Sequence, residues 1–276
     1  MITLTEIRPE VGFSKVDVAP ADTRDALIGL LDQMATLPAI QRIRQMARVA
    51  MDIRDGARLL DAGCGLGEET RELAGLAGAK GEVTGIDLSA ALIAAAEQRD
   101  NGIGVRYAVG DISSLDFPDA TFDAVRSERV IQHVPDPDAA VAELLRVTMP
   151  GGRVCVIDTD WDSFLVDGVP TEYIDSFKRL ARDKGIVQKP AGRLLRGRFV
   201  RAGLTAVTAE PVAIPITDQR TAELLSPVFS RQALEKMLNV PENLLNVWFR
   251  AFDNALAHDE FLAVLTIWVV TGTKPT

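Results

Sequence analysis

LLDAGCGLGEET, residues Leu59 to Thr70, sets an aspartate, three alternating glycines and two glutamates in one short run. Glycines let main chain come close to a ligand, and the amides that open the following helix usually hold a phosphate. Asp61 closes the run that starts at Arg58, while Glu68 and Glu69 fall in the first turn of the expected helix. There they suit the helix dipole but would repel a pyrophosphate. The guest that fits is a nucleoside carrying positive charge. A strand-to-helix turn with no ligand is the alternative, because short glycine motifs also occur without function.

Outward from this stretch the chain alternates between strand and helix patterns. Strands are expected at 58–62, 82–87, 104–109, 122–127 and 153–158, with helices at 67–78, 89–99 and 137–148. PGG at 150–152 reads as the turn before the fifth strand. Upstream, 22–51 is helical by its apolar spacing, with a break at Pro38. Downstream, DTDWDSFLVDGVP reads as a loop, 171–184 and 192–202 as helices, 204–214 as a strand, 219–258 as helical and 261–272 as a closing strand. The expected fold is α/β, a doubly wound, seven-stranded, mostly parallel sheet with helical lid insertions. Its parts are an N-terminal helical lid (1–52), a cofactor-binding core (53–160), and the remaining core strands with substrate-cap helices (161–276).

Composition narrows the class. A chain of 276 residues with 47% hydrophobic content can bury a substantial core without staples. Cys64 and Cys155 lack any CxxC or CxxH neighbour, so they read as buried thiols and no metal is expected. Thirty basic against 39 acidic residues give a net charge of −9. A nucleic-acid binder is normally more basic, and GRLLRGRFVR (192–201) reads as a solvated helix face, so no nucleic-acid partner is expected. MITLTEIRPE shows no secretory pattern, and FLAVLTIWVV (261–270) is too short to span a bilayer, so a cytoplasmic protein without membrane contact is expected.

Ligands of open α/β sheets bind at the carboxyl ends of the strands. Four features fall there: Asp61 with Gly63, Gly65 and Gly67; Asp87 in VTGIDLS, twenty residues beyond Gly67; Asp111 in GDIS; and FDAVRSERVIQHV at the fourth strand. Glycines plus Asp87 also describe a nicotinamide site. The extra acids favour adenosine joined to an amino acid, with Asp111 suited to an adenine amine and Asp61 to an ammonium or its ordered water.

LLDAGCGLG, VTGIDLS, VGDISSLDF, FDAVRSERVIQHVPDP and VTMPGGRVCV, in this order and spacing, resemble the class I S-adenosylmethionine-dependent methyltransferases, particularly the small-molecule branch with ubiquinone, menaquinone and natural-product enzymes. The resemblance covers about residues 55–160, and IWVVTGTKP looks like that fold's antiparallel last strand. It implies S-adenosyl-L-methionine as cofactor. The turn Gly63–Cys64–Gly65 would cradle the methionine part, Asp87 would take the ribose hydroxyls and Leu88 would pack on adenine. Asp111 and the Ile112 amide would bind the adenine edge, and the backbone at Ser127 or Glu128 would face the methionine amine or sulfonium side. Arg44, with Arg42 as its rival, would pair with the methionine carboxylate, unless both belong to a solvated helix face.

Transfer of a methyl group is an in-line displacement that depends on positioning and exclusion of water. A hydroxyl or acidic-carbon acceptor also needs a base, and only His133 and His258 titrate near neutrality unperturbed. His133, in VIQHVPD, reads either as that base or as a histidine bonded to a neighbouring loop; His258 reads as a helix-end residue. Arg129 and Gln132 are candidate contacts to acceptor or cofactor and Trp161 to the acceptor, with Asp158, Asp160 and Asp162 at the pocket rim; a capped loop with a buried tryptophan is the alternative for this last run. Phe229, Met237, Leu238, Trp248, Phe249 and Phe252 read mostly as lid core, with some of them lining an apolar acceptor pocket. The expected partner is a small, fairly apolar acceptor, for a monomer or homodimer. A non-catalytic cofactor-binding protein and an enzyme using the cofactor in a rearrangement are the other readings.

Overall fold

A computed structural model describes residues 13–170, 173–176, 179, 190–235 and 240–276. A 3₁₀ turn, Phe13–Val18, precedes α1 (Ala21–Ala35) and α2 (Pro38–Ala50). Then come β1 (Arg58–Ala62), α3 (Glu68–Ala77), β2 (Glu82–Asp87), α4 (Ala90–Gln98), β3 (Arg106–Val109) and β4 (Phe122–Glu128). A 3₁₀ turn, Ile131–His133, leads to α5 (Pro137–Val147), β5 (Thr148–Asp167), α6 (Ala191–Ala202) and β6 (Thr205–Ile216). The chain ends with α7 (Gln219–Leu225), a 3₁₀ turn Pro227–Phe229, the single turn α8 (Arg231–Ala233), α9 (Glu242–Ala257) and β7 (Leu262–Thr273).

The seven strands form one sheet in the order β3-β2-β1-β4-β5-β7-β6. Neighbours from β3 to β5 are parallel. Gly151 donates to the Lys274 carbonyl at 2.8 Å and Lys274 to that of Gly152 at 3.0 Å, the reciprocal pattern of an antiparallel neighbour. Strand order reverses between β1 and β4, which makes the carboxyl ends of these two strands the switch point.

Two compact units divide the chain. One comprises Gln41–Thr159, Ala191–Val212 and Ile267–Thr276. Its core sets Leu60, Val125, Val154 and Val156 of the sheet against Val141 and Leu144 of α5 and Leu195 and Phe199 of α6. Each such side chain, fully buried, contributes about 1.5–3 kcal/mol. The helices start where caps dictate: Ser89 Oγ accepts from the Leu92 amide, and Asp136 accepts from the Asp138 and Ala139 amides with Pro137 in the first turn. The other unit takes in the described residues of Met1–Ile40, Asp160–Pro190 and Ala213–Thr266. At its centre Phe229 stacks on Phe252 at 5.0 Å and meets Phe261 edge-on at 5.3 Å, while Trp248 Nε1 donates to the Val228 carbonyl. Phe229, Trp248 and Phe252 are thus core side chains of that unit; Met237 and Leu238 lie outside the described residues.

Three local expectations are corrected. DTDWDSFLVD is strand, not loop, because β5 runs on to Asp167 with its side chains alternating between core and solvent beyond Asp160. PGG is not a turn before that strand but a bulge within it, since pairing jumps from Phe122–Thr148 to Ala124–Arg153. The helical stretch 219–258 is broken at Pro227 and Pro241, each opening a new helical segment. Of the helix expected at 171–184, residues 173–176 and 179 are described and helical, and the others lie outside the described residues.

Candidate active site

The loop after β1 is built from left-handed backbone: Gly63, Gly65 and Gly67 have φ of 83°, 53° and 69°. The Gly63 and Cys64 amides both donate to the Ile86 carbonyl, at 2.7 and 2.8 Å, which ties the loop to β2. At the end of β2, Asp87 accepts from the Gly65 amide through Oδ2 and from the Ser89 amide through Oδ1, both at 2.9 Å. Gly110 donates to the Asp87 carbonyl at 3.0 Å, bringing exposed Asp111 and buried Ile112 to the same edge. A side chain at Gly63 would overlap Val130, and one at Gly67 would overlap the Tyr107 hydroxyl. Half-buried Cys64 lies among Asp61 and Asp87, and burial together with these charges pushes its thiol pKa far up.

Behind the loop lies a buried charge network. Arg126, in the interior of β4, donates to Asp61 Oδ1 at 3.1 Å and to Glu128 Oε2 at 2.6 Å. Thr70 donates to Asp61 Oδ2 at 2.7 Å, so both oxygens of Asp61 are engaged by protein groups. Arg44 bridges Glu128 and Glu68 at 2.9 and 2.8 Å, while Arg48 grips Glu69 at 2.9 Å. Burial alone would raise the Glu128 carboxyl, but Arg44, Arg126 and Arg129 outweigh it and hold its pKa at about 2. For Glu69 burial prevails, and its pKa is raised despite Arg126 and Arg48. Arg44 therefore stands at the site already committed to two carboxylates. Arg42, its rival, is exposed on α2.

Beyond Glu128 the chain turns sharply. Arg129 has a φ of 56° and donates its amide to the Ile157 carbonyl at 2.8 Å. Gln132 Nε2 reaches back to the Arg129 carbonyl at 3.1 Å, and the His133 amide donates to the Val130 carbonyl at 2.8 Å. Among the described residues no hydrogen bond engages the His133 ring, which keeps exposed surface. Desolvation and the Arg129 charge hold its pKa below the usual value. That direction favours the neutral ring, the form a base requires.

A protein-family model described as a methyltransferase domain matches residues 60–156. An uncharacterized methyltransferase of Schizosaccharomyces pombe is 33% identical over 189 residues, covering 64% of this chain and 68% of the relative. The chain belongs to the class I S-adenosylmethionine-dependent methyltransferases. An uncharacterized 37.1 kDa protein in transposon TN4556 of Streptomyces fradiae is 34% identical over 247 residues, 89% of this chain and 70% of that protein. Among solved structures, phosphoethanolamine N-methyltransferase 2 of Haemonchus contortus shares the fold, with a TM-score of 0.61 at 22% identity over 96% of this chain and 61% of its own.

Three features of this methyltransferase suit the family's cofactor. A Cβ at Gly65 would meet nothing within 4 Å, so the loop offers open space at that backbone. Leu88, beside Asp87, is 59% exposed, as an adenine-packing side chain would be. Ser127 Oγ is buried with no hydrogen-bond partner among the described residues. The sequence-predicted residues Gly63, Cys64, Gly65, Asp87, Leu88, Asp111, Ile112, Ser127, Glu128, Arg129, Gln132 and His133 all fall on the loops and strand ends at the carboxyl edge of β1 to β4. Trp161 lies on β5 in the other compact unit. Asp158 and Asp160, expected at a rim, are buried at 0% and 3% exposure; Asp162 is exposed.

Sequence reasoning gave no role to Arg126, Arg48, Thr70 or Tyr107. For Arg126 the signal was present: an arginine inside FDAVRSE, an otherwise buried strand, requires buried carboxylates beside it. His258 caps α9, its ring Nδ1 2.8 Å from the Asn254 carbonyl.

Proposed function

We propose that this methyltransferase moves the methyl group of S-adenosylmethionine to an oxygen, nitrogen or carbon of a small, fairly apolar metabolite of secondary or quinone-like metabolism. The observation that carries the reading is the Gly65–Asp87 junction, with exposed Leu88 on one side and the His133 turn packed against Gly63 through Val130 on the other. The bound cofactor supplies a methyl group on a sulfonium. Asp87 takes ribose hydroxyls, Asp111 and the Ile112 amide hold the adenine edge, and neutral His133 accepts the acceptor's proton.

Charge supports a small acceptor over nucleic acid. The chain carries −9, and in its basic segment Arg198 and Arg201 meet Asp138 at 3.2 and 3.4 Å. Among the described residues no helix is long and apolar enough to cross a membrane. Calorimetric titration with S-adenosylhomocysteine, for wild type and Asp87→Ala side by side, tests the cofactor site. Tight binding that collapses in the variant supports it, and the absence of binding to folded wild type sinks it. Mass gain of one methyl group in an acceptor screen then separates transfer from a rearrangement or from binding alone.

A further inference from the structure

Asp158 is fully buried on β5, and both carboxylate oxygens accept main-chain amides: Oδ2 from Gln132 at 3.0 Å and Oδ1 from Thr159 at 2.8 Å. Gln132 is the middle residue of the 3₁₀ turn that carries His133. The turn's other bonds described above run within its own loop, whereas the Asp158 bond anchors it to a neighbouring strand. The strand itself is held nearby, since Arg129 donates to the Ile157 carbonyl. Behind Asp158 there is no slack. A Cβ at Gly192, near the start of α6, would overlap the Asp158 carbonyl oxygen and stand 2.8 Å from Trp268.

We propose that Asp158 is a positioning residue for methyl transfer: as a carboxylate it holds the Gln132 amide and thereby fixes the turn that presents His133, and on protonation it releases that hold. The proposal rests on the reading of His133 as the acceptor-side base. An ionised acceptor makes a hydrogen bond roughly twice as strong as a neutral one, so the protonation state of Asp158 sets how firmly the turn is held. Burial pushes the Asp158 carboxyl up to about 7, against the opposing pull of the Thr159, Gln132 and Ile131 amides and the Arg129 charge. Burial thus moves the change of state upward, toward neutrality. Among the described residues Arg129 is the charged group that acts on it, while Glu128 is in register with the adjacent Ile157 and His133 follows Gln132 on the turn. Packed behind it, α6 presents Gly192, with exposed Arg193 as its charged neighbour, and β7 presents Trp268.

The test follows the Gln132 and Thr159 amides by ¹H–¹⁵N spectroscopy between about pH 5.5 and about pH 8.5, a range that brackets an ordinary histidine and a raised carboxyl. In wild type both amides should move downfield together as pH rises, with one midpoint near 7. In Asp158→Asn that titration should vanish and the His133 amide should shift, while in His133→Gln the Gln132 titration should persist. S-adenosylhomocysteine affinity of Asp158→Asn should stay within about threefold of wild type, as expected for a fully buried side chain. A flat Gln132 amide in wild type overturns the proposal, as does a titration that survives Asp158→Asn or disappears in His133→Gln. Loss of cofactor binding in Asp158→Asn also overturns it, by placing the residue in cofactor retention. Failure of wild type to bind S-adenosylhomocysteine would sink the methyltransferase site and leave the amide titration readable by itself.

Discussion

The Gly65 amide donates to Asp87 Oδ2 at 2.9 Å, so the acid at the end of β2 is braced by the glycine loop it serves. The Ser89 amide fixes the other oxygen, and the carboxylate cannot swing away from the strand edge. Ribose hydroxyls donating to a charged acceptor are worth about 1.5–3 kcal/mol each. Asp87→Ala should therefore weaken S-adenosylhomocysteine about a hundredfold or more by calorimetry. Asp87→Asn, which keeps one acceptor oxygen, should fall between the two. Equal affinities in all three proteins would remove Asp87 from the site.

Gly63 and Gly65 share left-handed backbone but not surroundings, and this separates folding from binding. A methyl group at Gly63 collides with Val130, which carries the strain into the His133 turn. At Gly65 it meets nothing within 4 Å. Left-handed backbone costs an alanine about 1–2 kcal/mol. Gly65→Ala should lose about that much stability in urea denaturation and more than tenfold in S-adenosylhomocysteine affinity, because the added methyl fills space the loop leaves for a ligand. Gly63→Ala should lose more stability than Gly65→Ala. A Gly65→Ala protein with full affinity would place the cofactor elsewhere.

Regular periodicity made the first half of the sheet readable. From Arg58 to Glu128 strand and helix patterns alternate, and glycine and acidic punctuation falls at each strand end. Around Asp158 the same reasoning failed: four polar residues in five looked like a loop. Asp158 and Asp160 can lie inside a strand because fold-level partners, such as the Gln132 amide 26 positions away, satisfy them. PGG misled in the same way, since the pairing of β5 with β4 on either side of it, not its own turn chemistry, makes it a bulge. Arg44 illustrates a third limit. Its place near the site followed from sequence, but its grip on Glu68 and Glu128 depends on three separate elements meeting.

Arg126 holds two carboxylates in a region with almost no solvent, and removing it leaves Asp61 and Glu128 without a shared counter-charge. Breaking a buried pair from one side costs about 3–5 kcal/mol. Arg126→Met should lower the urea midpoint by an amount equivalent to that loss. Adding Glu128→Gln should recover only part of it, because Asp61 still lacks its arginine partner and Arg44 loses one of its two carboxylates. A stability change under about 1 kcal/mol would mean that the network is solvated.

Asp158, His133 and Glu128 contribute to the pH dependence of stability with different signs. Asp158, raised to about 7, binds more protons folded than unfolded, so it makes stability fall as pH climbs from about 4 through 7. His133 is lowered, so the unfolded chain binds its proton more readily and stability falls as pH drops through about 6.5. Glu128, held at about 2, stabilises the fold above its ordinary range and loses that contribution as pH falls toward 2. Near neutrality the first two oppose each other, and single variants are needed to see either. Relative to wild type, Asp158→Asn should gain melting temperature as pH climbs from about 4 to about 7 and level off above that. His133→Gln should gain only on the acidic side. If the Asp158→Asn difference is constant with pH, the carboxyl does not titrate near neutrality, and its hold on the His133 turn cannot vary with pH in that range.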